Sequence, residues 1–168
     1  MIKMLEPMIS EIHQEGVITK RVLERVPPDK LSWTPHPKSM TLGKLAFHVA
    51  SIPGNLSKLA QGDERELNPA VFDPPAPKDK HELMTTLEES IKSAQEYVAG
   101  LNESTAFATW RLKANGKEVI AMPRVTLLRT IMLNHWYHHR GQLSVYLRLL
   151  DVPVPVIYGR SADENPFG

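Results

Sequence analysis

Prolines decide what this chain can fold into, because they set where its helices must stop. Pro27-Pro28, then Pro69, Pro74, Pro75 and Pro77, then Pro123, and finally Pro153 and Pro155 punctuate an otherwise helix-patterned sequence. A proline has no N–H for the helix ladder, and it disfavours α geometry in the residue before it. Pro123 is the exception in sense. At a first turn the missing N–H costs nothing, so Pro123 is well placed to start a helix. Four stretches remain that are long enough to be helices.

Each stretch carries one apolar stripe. From Ile2 to Val26, Leu5, Ile9, Ile12, Gly16, Thr19 and Leu23 recur at threes and fours, with Pro7 fitting the first turn. Thr41 is the expected N-cap of a second helix whose stripe is Leu42, Leu45, Val49, Ile52, Leu56 and Leu59. Pro53-Gly54 should kink or loosen it just beyond His48. A third helix is predicted from about Lys80 to Gly100, with Gly100 as its C-cap and a seam of Leu83, Leu87, Ile91, Ala94, Val98 and Leu101. The fourth runs from Pro123 to about Leu150, with Leu128, Ile131, His135, His139, Gln142, Tyr146 and Leu149 on one face. Before it, Asn115-Gly116 favours a tight turn with positive φ, so residues 105–122 read as a short hairpin or extended excursion. The tail from Ile157 either packs over the helices or hangs free. The predicted fold is all-α: a four-helix bundle with that excursion before the last helix, as one domain over residues 1–168.

Composition narrows the function. Lys+Arg number 20 against 19 Asp+Glu, a formal charge of +1, and the basic residues are spread thinly. Nothing there argues for nucleic acid or an anionic membrane as partner. The chain has no cysteine, which excludes disulfides and thiolate metal ligands and suits a reducing cytosol. Lys3, Glu6, Glu11 and Glu15 break any apolar run of signal-peptide type, and no segment approaches the roughly 18–20 apolar residues of a membrane helix. A cytoplasmic protein acting on a small molecule is expected.

The chemistry concentrates in Asn134-His135-Trp136-Tyr137-His138-His139-Arg140-Gly141-Gln142. Residues four apart on a helix lie one turn apart and differ by about 40° around its axis. His135 and His139 can therefore present two imidazoles to one ion. A third imidazole must come from another helix, and His48 is the best placed. His138, three residues after His135, is the rival on the same helix, and His13 could add a fourth ligand. His36 lies between prolines in a loop, and His81 opens the third helix. The zincin motif H-E-x-x-H puts a glutamate base after the first histidine. Trp136 stands there, so proteolysis by that route lacks its proton acceptor.

His135 and His139 followed by Arg140-Gly141-Gln142, with the upstream run Thr41-Leu-Gly-Lys-Leu-Ala-Phe-His48, resemble the DinB-like (damage-inducible B) superfamily, which is distinct from the DNA polymerase that shares the name. Trp33 before helix two and Tyr158-Gly159 in the tail extend the resemblance over nearly the whole chain. It implies an up-down-down-up four-helix bundle, a homodimer, and a three-histidine site on His48, His135 and His139. The implied cofactor is a divalent metal ion, zinc or nickel. Some relatives are thiol transferases or isomerases that use bacillithiol, mycothiol or glutathione.

Three functions fit such a site: thiol S-transfer, metal-assisted hydrolysis, or a non-catalytic metal-stabilised module for binding or dimerising. Among the neighbours, Arg140 either binds an anionic substrate or makes a helix-to-helix salt bridge. Gly141 should allow close helix packing. Gln142 can hold a ligand imidazole in one tautomer or satisfy a backbone group. Trp33, Trp110 and Trp136 read as packing residues.

Overall fold

The computed structural model describes residues 5–167. The expected start of the first helix at Ile2 lies outside them. Helix α1 spans Glu6–Leu23, with proline in its first turn, and a 3-10 turn at Pro28–Lys30 follows. Helix α2 spans Leu42–Leu59, and the Thr41 hydroxyl accepts the Lys44 N–H at 3.3 Å as its cap. Strand β1 (Glu64–Glu66) and a 3-10 turn (Pro69–Phe72) lead to α3, Lys80–Gly100, capped by the Asp79 carboxylate. A short α4 (Glu103–Phe107) precedes β2 (Thr109–Ala114) and β3 (Lys117–Pro123). The last helical stretch begins as α5 (Arg124–Thr126), widens into a π-helix (Leu127–Leu133) and finishes as α6 (Asn134–Leu149). Helix α2 packs on α3 and α6, and α1 packs on α3. No described helix is long and apolar enough to cross a membrane.

The fold is mostly helical, but it is not all-α. The expected hairpin forms between β2 and β3, antiparallel, turning through Asn115 (φ 53°) and Gly116 (φ 73°). Strand β1 then adds to β2 in parallel, pairing Glu64 with Arg111, to give the order β1-β2-β3. Three exposed residues, Glu-Arg-Glu, carry no apolar alternation, so nothing in their pattern announced a strand. The end of α3 also differs from expectation: Gly100 is its last helical residue, and the extended Leu101 is the cap.

The last helix buries a different face from the predicted one. Leu127, Leu128, Met132 and Leu133 are buried, a spacing of five that matches the π-helix, in which each turn takes up an extra residue. From there the buried series runs Trp136, Arg140, Leu143 and Leu147. Leu149, expected on the core face, is 57% exposed. His135 and His139 lie one residue, about 100°, from the centre of the core face, which places them at its half-buried edge.

Helices α2 and α6 are joined by a bond that Pro53 makes available. Helix α2 continues through Pro53, whose missing N–H leaves the Val49 carbonyl without its usual partner four residues on. The indole N–H of fully buried Trp136 donates to that carbonyl at 2.9 Å. On the opposite side, the Gly54 N–H donates to Ser90 Oγ of α3 at 2.7 Å, and a β-carbon at Gly54 would come within 2.9 Å of Ser90 Cα.

Replacing Trp136 by phenylalanine should therefore destabilise the protein by more than the lost ring, by about 1–3 kcal/mol for the orphaned carbonyl. In a Pro53→Ala background the restored backbone N–H supplies the carbonyl. Urea denaturation of the double-mutant cycle should then show a smaller cost for Trp136→Phe. Equal costs in both backgrounds would break the link.

Candidate metal centre

Three of the seven histidines meet at one point. His48 comes from α2 and His135 and His139 from successive turns of α6; one nitrogen of each lies within 4.8 Å of the other two. The Nε2 atoms of His48 and His135 are 3.0 Å apart. Nitrogens that share one ion at about 2.0–2.1 Å are themselves about 3 Å apart. The rings stand edge to face, with centroids 4.4–5.1 Å apart, so all three nitrogens can aim inward without ring overlap. A cluster of three imidazoles with no carboxylate in it fits a late first-row divalent ion.

The surroundings keep these rings neutral, the form a metal needs. Burial, and then the nearby rings of His139 and His135, lower His48 to about 4. Burial, and then His139 and His138, lower His135 to about 4. Burial also lowers His139, against a hydrogen bond with Gln142 that raises it. Gln142 Oε1 lies 2.7 Å from His139 Nδ1, so a proton on Nδ1 is held there and Nε2 is free to ligate. This is the tautomer-fixing role offered to Gln142 by its spacing.

The other candidates lie elsewhere. His138 is exposed, its ring 5.0 Å from that of His139, and it is not part of the cluster. His13 is exposed on α1 and His81 on α3, while His36 Nδ1 accepts the Lys38 N–H within its loop. A β-carbon placed on Gly141 would meet nothing within 4 Å, so no close helix approach depends on that glycine. Trp110 and Trp136 are buried packing residues, and Trp33 packs edge-on against Tyr146.

Arg140 resolves as structure rather than as an anion site. It is 1% exposed and pairs with Glu15 of α1 at 2.6 Å, and it also donates to Thr19 Oγ1 and to the Tyr158 hydroxyl. Tyr158 in turn donates to Glu15 at 3.0 Å, which ties the tail to α1 and α6. Glu15 was missed in the sequence, although its position between Ile12, Gly16 and Thr19 put a carboxylate on the buried stripe. A second guanidinium, Arg124, was also missed. It donates to the Ala60, Gly62 and Thr105 carbonyls and to Asp63, tying the end of α2 to the start of the last helix.

His48, alone of the three, also lines a cavity of about 480 Å³, bounded with it by Phe47 and Leu56 of α2, by Arg65 of β1 and by Pro74 and Pro75. No carboxylate lines it among the described residues.

Comparison with known proteins agrees with this architecture. A family described as the DinB family matches residues 1–165. The Bacillus subtilis protein YrdA is 23% identical over 166 residues, covering 98% of this chain and 93% of its own. A DinB-like protein from Bacillus cereus superposes with a TM-score of 0.69 at 21% identity, over 92% of this chain and 97% of that one. The DinB-like protein YjoA of Bacillus subtilis gives 0.68 at 19% identity, over 93% of this chain and 100% of that one.

Two outcomes are expected from this geometry. Replacing Glu15 by alanine strands a buried guanidinium and should cost about 3–5 kcal/mol in denaturant unfolding. A loss below 1 kcal/mol would contradict the buried pair. The second outcome concerns pH. With His48 and His135 held near 4 when folded and near 6.5 when unfolded, the unfolded chain binds more protons between those values. Stability of chelator-treated protein should fall as pH drops from 6.5 towards 4. The melting temperature of a His48→Asn/His135→Asn variant should fall less steeply over that range, and parallel slopes would refute it.

Proposed function

The chain belongs to the DinB family, and on that premise we propose that His48, His135 and His139 hold one divalent ion, zinc or nickel, for transfer of a low-molecular-weight thiol to an electrophile. The observation that supports this is the convergence of three neutral imidazoles, without a carboxylate, one of which, His48, lines a cavity. An ion held there supplies Lewis acidity that lowers the pKa of a thiol or a water.

The protein's own residues supply orientation and exclusion. Gln142 holds His139 in the tautomer that leaves Nε2 available. Trp136 occupies the place of a zincin's glutamate and is spent on the Val49 carbonyl, so that position supplies no proton acceptor to the site. Glu11 of α1 accepts from the Tyr137 hydroxyl at 2.8 Å. A thiol is acidic enough to need no protein base, whereas hydrolysis needs an acid for its leaving group. Among the described residues no carboxylate joins the histidine cluster or lines the cavity, which favours S-transfer over hydrolysis.

Elemental analysis of purified protein tests the ligand set. His48→Ala, His135→Ala and His139→Ala should each lose the ion, and His138→Ala should keep it. Gln142→Ala should bind it about 10–100-fold more weakly. The reaction is tested by incubating metal-loaded and chelated protein with bacillithiol, mycothiol or glutathione and a chromogenic electrophile. Turnover is expected only with metal; equal rates would refute the transfer reading.

A further inference from the structure

The cavity beside His48 has two chemically different ends. Its α2 wall is a continuous helical face, with His48, Ser51, Ile52, Asn55, Leu56 and Leu59 at successive threes and fours. The opposite wall is the segment after β1, where Pro74 and Pro75 line the space and Lys44 anchors Asp73 at 2.5 Å. Most of this lining is apolar. Two cations, Lys58 and Arg65, also line the cavity: Lys58 lies in the last turn of α2, and Arg65 is in β1, which follows the end of that helix.

These cations have no carboxylate partner among the described residues. The acids beside Arg65 are committed to the other side of its strand. Glu64 pairs with Lys113 at 2.8 Å, and Glu66 accepts the Gly116 N–H at 3.2 Å. Side chains alternate along a strand, so Arg65 faces away from both. An apolar cavity with two uncommitted cations at one end is a complementary mould for an amphiphilic anion.

The helix also sets a length. Lys58 follows His48 by ten residues, about 15 Å along α2 at 1.5 Å per residue. Two long flexible side chains cover part of that span, and an extended chain of about eight carbons covers the rest. The volume of about 480 Å³ lies within the usual range for small-molecule pockets.

We propose that this cavity binds a small apolar molecule ending in one carboxylate, with the carboxylate on Lys58 and Arg65 and the far end beside His48. Such a molecule is then the class of electrophile offered to the histidine cluster. That assignment as substrate rests on the metal-site reading; the binding itself does not. The carboxylate acts as a handle remote from the reacting end, positioning the chain along α2.

The test uses chelator-treated full-length protein, so that no carboxylate can bind through a metal. Octanoate and octanamide, alike in chain length and different in charge, are titrated by calorimetry. Octanoate should bind at least tenfold more tightly. The double substitution Lys58→Gln/Arg65→Gln should remove that advantage and leave octanamide affinity unchanged; both residues are exposed, and their loss leaves the core intact. His135→Ala should bind octanoate as the unaltered protein does, which separates this proposal from the fate of the metal site. Equal affinities for the two ligands, or an octanoate affinity indifferent to the double substitution, would overturn it. So would octanoate binding that appears only after metal loading, or binding of anionic lipid vesicles through Lys58 and Arg65 without saturable octanoate binding.

Discussion

The hydrogen bond from Trp136 to the Val49 carbonyl sets the register of the two helices that carry the histidines. Its donor follows His135 in the chain, and its acceptor follows His48. It exists because Pro53 withdraws a backbone donor from the interior of α2. A helix with a proline in it usually exposes a carbonyl to water. Here the carbonyl is buried, and only a partner helix docked at one height satisfies it. The same bond accounts for the tryptophan where a zincin has a catalytic glutamate. That position is occupied by a group that aligns the site.

A second set of polar contacts holds the frame from the other side. Arg140 continues the α6 face begun by Trp136 and is neutralised by Glu15, with Tyr158 closing the triangle. Burying such a pair costs desolvation, so its contribution is geometric more than energetic. It fixes the rotation of α6 against α1. The tail is bound further by Glu164 to Arg21 and Arg25, and by Asp163 to Arg148. Helix α6 is thus gripped on its α2 side by an indole and on its α1 side by a guanidinium. The histidines stand at the half-buried edge beside these contacts.

Much of this was legible in the sequence because it is local. The Thr41 cap, the span of α3, the Asn115-Gly116 turn and the one-turn spacing of His135 and His139 all follow from near neighbours in the chain. What was illegible depends on partners far away. Whether Arg140 meets a substrate or a carboxylate depends on Glu15, 125 residues earlier. Strand β1 exists because β2 offers it an edge. His48 could be paired with α6 only through resemblance, since no spacing rule links residues 87 positions apart. The misjudged face of the last helix has a different cause: a period of 3.6 was assumed through a segment that turns more slowly.

That slower segment, Leu127–Leu133, has a consequence of its own. A π turn holds one residue more than the α turn it replaces, and both leave the chain heading in the same direction. The stretch therefore works as a vernier between the hairpin and the histidine turns. Chain length can change there by a single residue, relaxing π to α, while the sheet upstream and the indole–carbonyl bond downstream keep their places.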